Sequence, residues 1–159
     1  MNNTYLLLGS NMGNSLVLLS TAIEQIEKQI GKRMLQSGLY ATAAWGNTSQ
    51  PDFLNQVIEV ATSLDATETL QRILSIEKSM GRIRTEKNAP RVIDIDILFF
   101  NNEIITRSDL TVPHPEIQNR RFVLTPLYEI APQMIHPLLN KSIEQLLLMC
   151  PDPLAVKKI

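Results

Sequence analysis

Residues 90–100, P-R-V-I-D-I-D-I-L-F-F, alternate between apolar and charged side chains around Asp94 and Asp96. Since neighbouring side chains of a β-strand point to opposite faces, the two aspartates share one face and the flanking isoleucines share the other. The Cα atoms of the aspartates would lie about 7 Å apart, at about 3.3 Å of rise per residue. The pattern predicts a strand that presents a pair of carboxylates.

Paired carboxylates repel each other unless a cation neutralises them, so this pair is typical of a site for one or two hard cations. The alternative is a half-exposed strand with a charged outer face. The run ends in Leu98, Phe99 and Phe100, and this apolar end favours a central strand over a solvated edge.

Hydrophobic periodicity predicts the remaining elements. The first elements are a strand at 4–8, a helix at 16–30 that Asn14 or Ser15 caps and Gly31 ends, and strands near 34–42 and at 53–61. A second helix runs from an Asp65/Glu68 capping box to Gly81, and a hairpin turns at Asn101 and Asn102 and returns over 103–106. Two further helices are predicted, from Arg120 to Ile130 and over about 142–150. This order predicts one α+β domain over residues 1–159, with a mostly antiparallel sheet flanked by helices.

Composition narrows the function classes. The chain has 159 residues and a formal net charge of −1, which gives no global attraction to nucleic acid or to an anionic membrane. Cys150 is the only cysteine, so an intrachain disulfide framework is excluded. The N-terminus lacks the features of a signal peptide, and no apolar run approaches the length of a membrane span. We expect a cytoplasmic protein that binds neither nucleic acid nor membrane.

Cationic residues crowd the segment that leads into the aspartate strand. The ten residues 82–91 include four cations, namely Arg82, Arg84, Lys87 and Arg91. One interpretation is a solvated basic loop, and the other is a clamp for a phosphate chain that bound metals also hold. The position of the loop beside the carboxylates favours the clamp.

Four further residues, Glu77, Phe53, Asn55 and His114, each allow a structural and a functional interpretation. Glu77 lies near the apolar stripe of its helix and would snorkel at the edge of that stripe unless a site recruits it. Phe53 and Asn55 share one face of their strand, either as a core and an edge residue or as a binding lip. His114, between two prolines and near further arginines, has a better claim to function than His136, which we predict to be structural.

Paired carboxylates beside clustered arginines are typical of Mg²⁺-dependent chemistry on a polyphosphate. Pattern alone therefore indicates a metal-dependent phosphoryl, pyrophosphoryl or nucleotidyl transferase. Two rivals stay open, namely a nucleotidyltransferase that uses the D-x-D pair and releases pyrophosphate, and a non-enzymatic ferredoxin-like module that binds a small ligand or RNA.

The chain resembles the 6-hydroxymethyl-7,8-dihydropterin pyrophosphokinase family of folate biosynthesis. The segments that carry the resemblance are L-G-S-N-M-G-N at 8–14, Y-A-T at 40–42, Q-P-D-F-L-N-Q-V at 50–57, I-E-K-S-M-G-R-I-R at 76–84, A-P-R-V-I-D-I-D-I-L-F-F at 89–100, L-T-V-P-H-P at 110–115 and N-R-R-F-V-L-T-P-L-Y-E-I-A-P at 119–132. The order of the R-x-I-D-I-D-I-L and V-P-H-P segments makes the resemblance specific.

The resemblance implies a ferredoxin-like α/β sandwich and an activity. Such an enzyme transfers the terminal pyrophosphoryl group of ATP to the hydroxymethyl oxygen of the pterin and leaves AMP. It implies two Mg²⁺ ions on Asp94 and Asp96, with ATP as co-substrate, and we expect a monomer.

The resemblance also implies roles for individual residues. Arg82 and Arg91 would act with Asp94 and Asp96 in catalysis. The ATP site would be lined by Glu77, Arg84, Arg91, Ile97, Thr111, His114 and Arg120. The pterin would lie between the rings of Phe53 and Phe122, with its polar edge met by Asn55 and by the chain at Thr42, Ala43 and Trp45.

The chain departs from the family pattern at several positions. Asn88 stands where members often carry a tryptophan, and Asp109 stands where some carry an arginine near ATP. Phe53 replaces a common tyrosine, which keeps the stacking surface but removes a hydroxyl. None of these changes removes a proposed metal ligand, so we expect activity.

Overall fold

The computed structural model describes residues 1–43, 51–81 and 92–159. Its elements are β1 (Asn2–Ser10), α1 (Ser15–Gln29), β2 (Gly31–Gln36), β3 (Tyr40–Thr42), β4 (Phe53–Thr62), α2 (Ala66–Ser79), β5 (Asp94–Phe100), β6 (Ile105–Thr106), β7 (Thr111–Val112), a 3-10 turn (Ile117–Asn119), α3 (Arg121–Ile130), α4 (Ile143–Met149) and β8 (Val156–Lys158). None of the helices in these ranges is long and apolar enough to cross a membrane.

The main sheet has six strands in the order β5-β1-β4-β3-β8, with β2 also paired to β4. Each of these pairings is antiparallel, as the sequence predicts. Strands β6 and β7 form a separate two-stranded sheet. The α+β class with a mostly antiparallel, ferredoxin-like sheet is confirmed.

The sheet carries a hydrophobic core on each face. One core packs β1, β4 and β5 against α1 and α2, and we call this side the α1/α2 face. The other core packs the same strands against α3 and α4, and we call it the α3/α4 face. Where a strand is regular, its side chains alternate between the faces, so residues two apart share a side.

The prediction that the aspartate strand is central is wrong, because β5 forms an edge of the main sheet. Its apolar end is explained by helix packing on both faces rather than by a second neighbouring strand. The register against β1 shifts between Tyr5 and Leu6. Leu98 and Phe99, although consecutive, both pack in the α3/α4 core, and Phe100 returns to the α1/α2 core. This irregularity is typical of a β-bulge.

The predicted hairpin partner of β5 is also wrong. The chain does turn at Asn101, whose φ is 50°. The returning segment, however, pairs β6 with β7 instead of with β5. The reason is hydrophobic: Leu110 and Val112 are buried in the α1/α2 core, which draws this segment away from the strand edge.

Helix termini follow the sequence closely. Asn14 accepts a hydrogen bond from the Val17 amide at 3.3 Å, and Asp65 with Glu68 forms the predicted capping box. Gly31 does not end α1 in a left-handed conformation but begins β2. A Cβ atom there would lie 2.0 Å from the Ala61 carbonyl oxygen, so the residue is a glycine because β4 approaches too closely for a side chain.

Candidate active site

The aspartate pair lies where the alternation predicts. Asp94 is opposite Gly9 and Asp96 is opposite Leu7 in the pairing of β5 with β1. The intervening Ile95 is buried in the α1/α2 core, whereas Leu7 packs in the α3/α4 core. Because Asp96 is opposite Leu7 and the side chains alternate along the strand, both aspartates lie on the α3/α4 face. Both are half-buried.

A row of residues crosses the sheet from Asp94. Its members in register are Asp94, Gly9, Asn55 and Tyr40, on β5, β1, β4 and β3. With strands about 4.8 Å apart, the Cα atoms of Asp94 and Asn55 are about 10 Å apart, separated only by a residue without a side chain. A Cβ atom at Gly9 would lie 2.7 Å from Oδ1 of Asn55. The Asn55 amide thus lies against the Gly9 backbone, which we call the floor of the site.

The next row adds an aromatic ring and a hydroxyl. Phe53 pairs with Thr42, two residues from Asn55 and on the same face. Phe53 is half-buried and belongs to neither core, which favours the binding lip over the core interpretation. Thr42 is buried, and within the described ranges its Oγ1 has no hydrogen-bond partner. A buried hydroxyl without a partner is costly, so a ligand that binds it gains affinity. Ala43, which follows, is exposed.

Glu77 does not snorkel, and that interpretation is wrong. The residue is 2% exposed, and its Oε2 accepts a hydrogen bond of 2.8 Å from the backbone N–H of Ile95. The buried carboxylate of α2 therefore binds the backbone of the edge strand between the two aspartates. A strand edge leaves backbone donors unpaired, which is why this position recruits an acceptor.

His114 lies close to the aspartate pair. Its backbone N–H donates to the carbonyl of Leu98 at 3.0 Å, and its Nδ1 accepts from the backbone N–H of Glu116 at 3.1 Å. Burial, together with the charge of Arg120, lowers the pKa of His114, against the opposing effects of Glu116 and Asp94. The ring is thus neutral near pH 7, with its proton on Nε2.

Arg120 and Phe122 stand at the start of α3. Arg120 is the N-cap residue, and its guanidinium carbon lies 5.8 Å from the centroid of the Phe122 ring. Phe122 is partly buried against the α3/α4 core. The predicted second ring of the pterin site therefore lies on the same side of the sheet as Phe53.

Two further predicted ATP-site residues, Thr111 and Ile97, differ in their exposure. Thr111 is exposed on β7, opposite Thr106. The side chain of Ile97 is buried in the α1/α2 core, so only its backbone is available to a ligand on the other face. Asp109, where some members carry an arginine, is exposed and forms an ion pair with Arg107 at 3.1 Å.

Four predicted site residues, Trp45, Arg82, Arg84 and Arg91, lie outside the described residues, as does Asn88. Their roles stay predictions. His136 is structural, as expected: it is buried, its Nδ1 accepts from the backbone N–H groups of Leu138 and Leu139, and burial lowers its pKa.

Sequence reasoning missed Gly9 and Asn11 as parts of the site. The signal was a glycine inside an apolar strand pattern, which indicates close approach of another group. Asn11 is buried, and its Nδ2 donates to the carbonyl of Pro51 at 3.4 Å. This contact joins the turn after β1 to the segment that enters β4 just before Phe53.

The donor set at the aspartates fits magnesium. In the ranges that the structure describes, no group of three or more His, Cys, Asp or Glu side chains converges. Mg²⁺ needs no such cage, because it is commonly held by one or two carboxylates together with substrate phosphates and water. Asp94 and Asp96, half-buried next to the floor at Gly9, are two carboxylates of this kind.

Comparison with known proteins agrees with the resemblance that the sequence segments carry. Residues 5–132 match the family model described as 7,8-dihydro-6-hydroxymethylpterin-pyrophosphokinase (HPPK). The chain is 41% identical over 145 residues to the 2-amino-4-hydroxy-6-hydroxymethyldihydropteridine pyrophosphokinase of Aquifex aeolicus, covering 91% of this chain and 90% of the relative. It is 39% identical to the folic acid synthesis protein FOL1 of Dictyostelium discoideum, covering 95% of this chain but 23% of that protein.

Solved structures share the fold. The HPPK-DHPS protein of Plasmodium falciparum with pteroate superimposes with a TM-score of 0.78 at 22% identity. The match covers 93% of this chain and 42% of the solved chain, so this chain spans less than half of that protein. At this identity the likeness extends to the fold alone.

Proposed function

The chain belongs to the 7,8-dihydro-6-hydroxymethylpterin-pyrophosphokinase family, and we propose that it transfers the pyrophosphoryl group of ATP, as one unit, to the hydroxymethyl oxygen of 6-hydroxymethyl-7,8-dihydropterin. The products are AMP and the pterin diphosphate. The observation that supports this function best is that Asp94, Asp96, Asn55 and Phe53 share one face of the sheet, with Gly9 as the floor between Asp94 and Asn55.

The pterin binds at the Asn55 end of this floor. A flat heterocycle gains from contact with aromatic faces, and Phe53 and Phe122 supply the two rings. Asn55 offers both a donor and an acceptor to the polar edge of the pterin, as do the hydroxyl of Thr42 and the chain at Ala43 and Trp45. The unpartnered Oγ1 of Thr42 supports this orientation.

Two Mg²⁺ ions bind at the other end, with Asp94 and Asp96 as protein ligands. When bound, magnesium neutralises phosphate charge and lowers the pKa of a coordinated hydroxyl. The oxygen chemistry of the pair and its position beside the floor support this assignment.

ATP binds along the edge strand. The proposed ligands are Glu77, Arg84, Arg91, Ile97, Thr111, His114 and Arg120. His114, as a neutral ring, presents its Nε2–H to a phosphate or ribose oxygen. Arg82 and Arg91 bind the phosphate oxygens, where fixed guanidinium groups stabilise the charge that develops during transfer.

Catalysis depends on positioning the two substrates and on stabilising the charge of the transferred phosphates. The hydroxymethyl oxygen attacks the β-phosphorus, a new oxygen–phosphorus bond forms, and the bond from that phosphorus to the oxygen bridging to the α-phosphate breaks. AMP leaves with the bridging oxygen, and the hydroxyl proton passes to solvent. Phe53, Phe122 and Asn55 hold the nucleophile in line, which replaces a costly bimolecular encounter with a fixed geometry.

Residues 1–159 act as one pyrophosphokinase domain, which we assign to the cytoplasm as a monomer. Sedimentation of the protein at several concentrations, with and without substrates, tests the monomer.

Identification of the products tests the function. Purified protein, ATP, Mg²⁺ and 6-hydroxymethyl-7,8-dihydropterin should yield equal amounts of AMP and pterin diphosphate. A nucleotidyltransferase would instead release pyrophosphate and attach AMP to the acceptor. A binding module would leave both substrates intact, and either result would overturn the proposal.

A further inference from the structure

The C-terminal segment that follows α4 provides a cap for another helix. Asp152 is 4% exposed, and its Oδ2 accepts a hydrogen bond of 3.0 Å from the backbone N–H of Arg121, the first residue of α3. Its Oδ1 accepts a second, of 2.9 Å, from the backbone N–H of Leu154. One buried carboxylate thus joins two segments that are 31 residues apart in sequence.

Helix α3 needs this external cap. Arg120 occupies its N-cap position and makes no capping hydrogen bond, because a guanidinium has no acceptor. The first amides of a helix have no partner within the helix, and an anion at this end is also favoured by the helix dipole. Asp152 supplies both the acceptor and the negative charge.

A second contact in the same place makes the cap reciprocal. The Arg121 guanidinium donates from Nε to the carbonyl of Asp152 at 3.2 Å and from Nη2 to the carbonyl of Cys150 at 3.2 Å. Backbone and side chain of Arg121 therefore bind the same short stretch of the C-terminal segment. This fixes both the point where α3 begins and its rotation about its axis.

The residues on either side of Arg121 belong to the proposed substrate site. Arg120 precedes it and Phe122 follows it, and the Arg120 guanidinium lies over the Phe122 ring. Because side-chain directions at a helix start follow the backbone, a shift of the first turn moves both groups at once.

The C-terminal segment also pairs with the strand that carries Thr42, another proposed pterin contact. Strand β8 pairs with β3, with Val156 opposite Thr42. Lys158 forms an ion pair with Glu129 of α3 at 3.5 Å. The segment therefore links α3, which carries Phe122, to the strand that ends at Thr42.

We propose that Asp152 is a positioning residue for substrate binding, which caps α3 and so sets the Phe122 ring at the pterin and the Arg120 guanidinium at ATP. Asp152 lies beyond the residues matched by the family model, 5–132. The role rests on the proposed function, since it assigns Phe122 to the pterin.

Three variants test the role. Asp152→Ala removes the cap, and Asp152→Asn keeps an acceptor for the Arg121 amide. Ser142→Ala is the matched control, because Ser142 caps α4 through its Oγ, which accepts from the Gln145 amide at 3.1 Å, and α4 contributes no proposed site residue. Steady-state kinetics with ATP and the pterin are measured for each variant beside a denaturant unfolding curve.

Asp152→Ala should raise the KM for the pterin by about tenfold, with kcat within about twofold of the unchanged chain. Asp152→Asn should recover most of the affinity. Simple destabilisation lowers the fraction of folded enzyme and so reduces apparent kcat at constant KM, which is the result expected for Ser142→Ala. The role is refuted if Asp152→Ala leaves the pterin KM unchanged, or if Ser142→Ala raises it equally.

A substrate-free measurement separates this role from the proposed function. Fluorophenylalanine placed at position 122 should show a shifted ¹⁹F resonance in Asp152→Ala and an unshifted one in Ser142→Ala. If the unaltered protein does not make pterin diphosphate, the function is wrong, and the ¹⁹F result alone decides whether Asp152 positions the ring. An unshifted resonance in Asp152→Ala refutes the positioning.

Discussion

The carboxylate of Glu77 accepts a hydrogen bond of 2.8 Å from the backbone N–H of Ile95, the residue that separates Asp94 from Asp96. A buried side chain of α2 therefore holds the edge strand at the place where the strand presents its carboxylates. Among the residues that the structure describes, β5 is an edge of the sheet, so no strand there pairs with this amide on its outer side.

Replacing Glu77 should reveal this contact as a loss of stability. We expect Glu77→Leu to lower the free energy of unfolding by about 1–3 kcal/mol, because it leaves the buried Ile95 amide without this acceptor. Glu77→Gln retains an acceptor oxygen and should lose less. Urea unfolding of the three proteins measures the difference, and equal stability of Glu77→Leu and the unaltered chain would contradict the account.

Substitutions on the two faces of β5 should have different effects, one mainly on turnover and the other mainly on stability. Asp96→Asn keeps the size of the side chain but removes a charge proposed to bind metal, so turnover should fall by about a hundredfold or more with little change in stability. The matched change on the other face, Ile95→Val, should cost about 0.5–1.5 kcal/mol of stability and leave turnover per folded molecule intact.

Steady-state assays beside urea unfolding curves distinguish these outcomes. Near-normal turnover by Asp96→Asn would exclude the metal role of this carboxylate. Preserved stability with lost turnover in Ile95→Val would show that the isoleucine face acts in the reaction.

The faces of Asp94, Ile95 and Asp96 were predictable because side chains alternate along a regular strand, so placing Asp94 on one face also places the other two. Helix starts were predictable for a similar reason, since the Asp65 and Glu68 capping box is local in sequence. These features depend on residues within a few positions of each other.

The features that could not be predicted depend on distant residues. The edge position of β5 follows from which strands pair, and the partner of β6 follows from where Leu110 and Val112 are buried. The bond between Asp152 and Arg121 joins positions that no local pattern connects. Glu77 was misjudged because its spacing on the helix reveals the apolar stripe but not the strand edge that it meets.

The absence of a side chain at Gly9 should be essential for pterin binding. A methyl group there would lie 2.7 Å from Oδ1 of Asn55, which is too close, so Gly9→Ala should displace the amide and raise the pterin KM. If the effect acts through Asn55, Gly9→Ala should add little to Asn55→Ala in the double variant. Additive losses in this double-mutant cycle would contradict a shared cause.

His136 should make stability depend on pH. Burial lowers the pKa of His136 in the folded protein below its ordinary value of 6.5, so the unfolded chain binds the proton more readily. Its contribution is present above pH 6.5 and is lost as the pH falls towards the lowered folded-state pKa, by at most about 1.4 kcal/mol per pH unit.

His136→Asn is the informative variant, because an asparagine oxygen can accept from the backbone amides of Leu138 and Leu139, as Nδ1 of His136 does, without titrating. Urea unfolding between pH 7.5 and pH 5.5 should show a weaker pH dependence in the variant than in the unaltered chain. Parallel curves would mean that His136 titrates alike in the folded and unfolded states, and the effect of burial on its pKa would then be excluded.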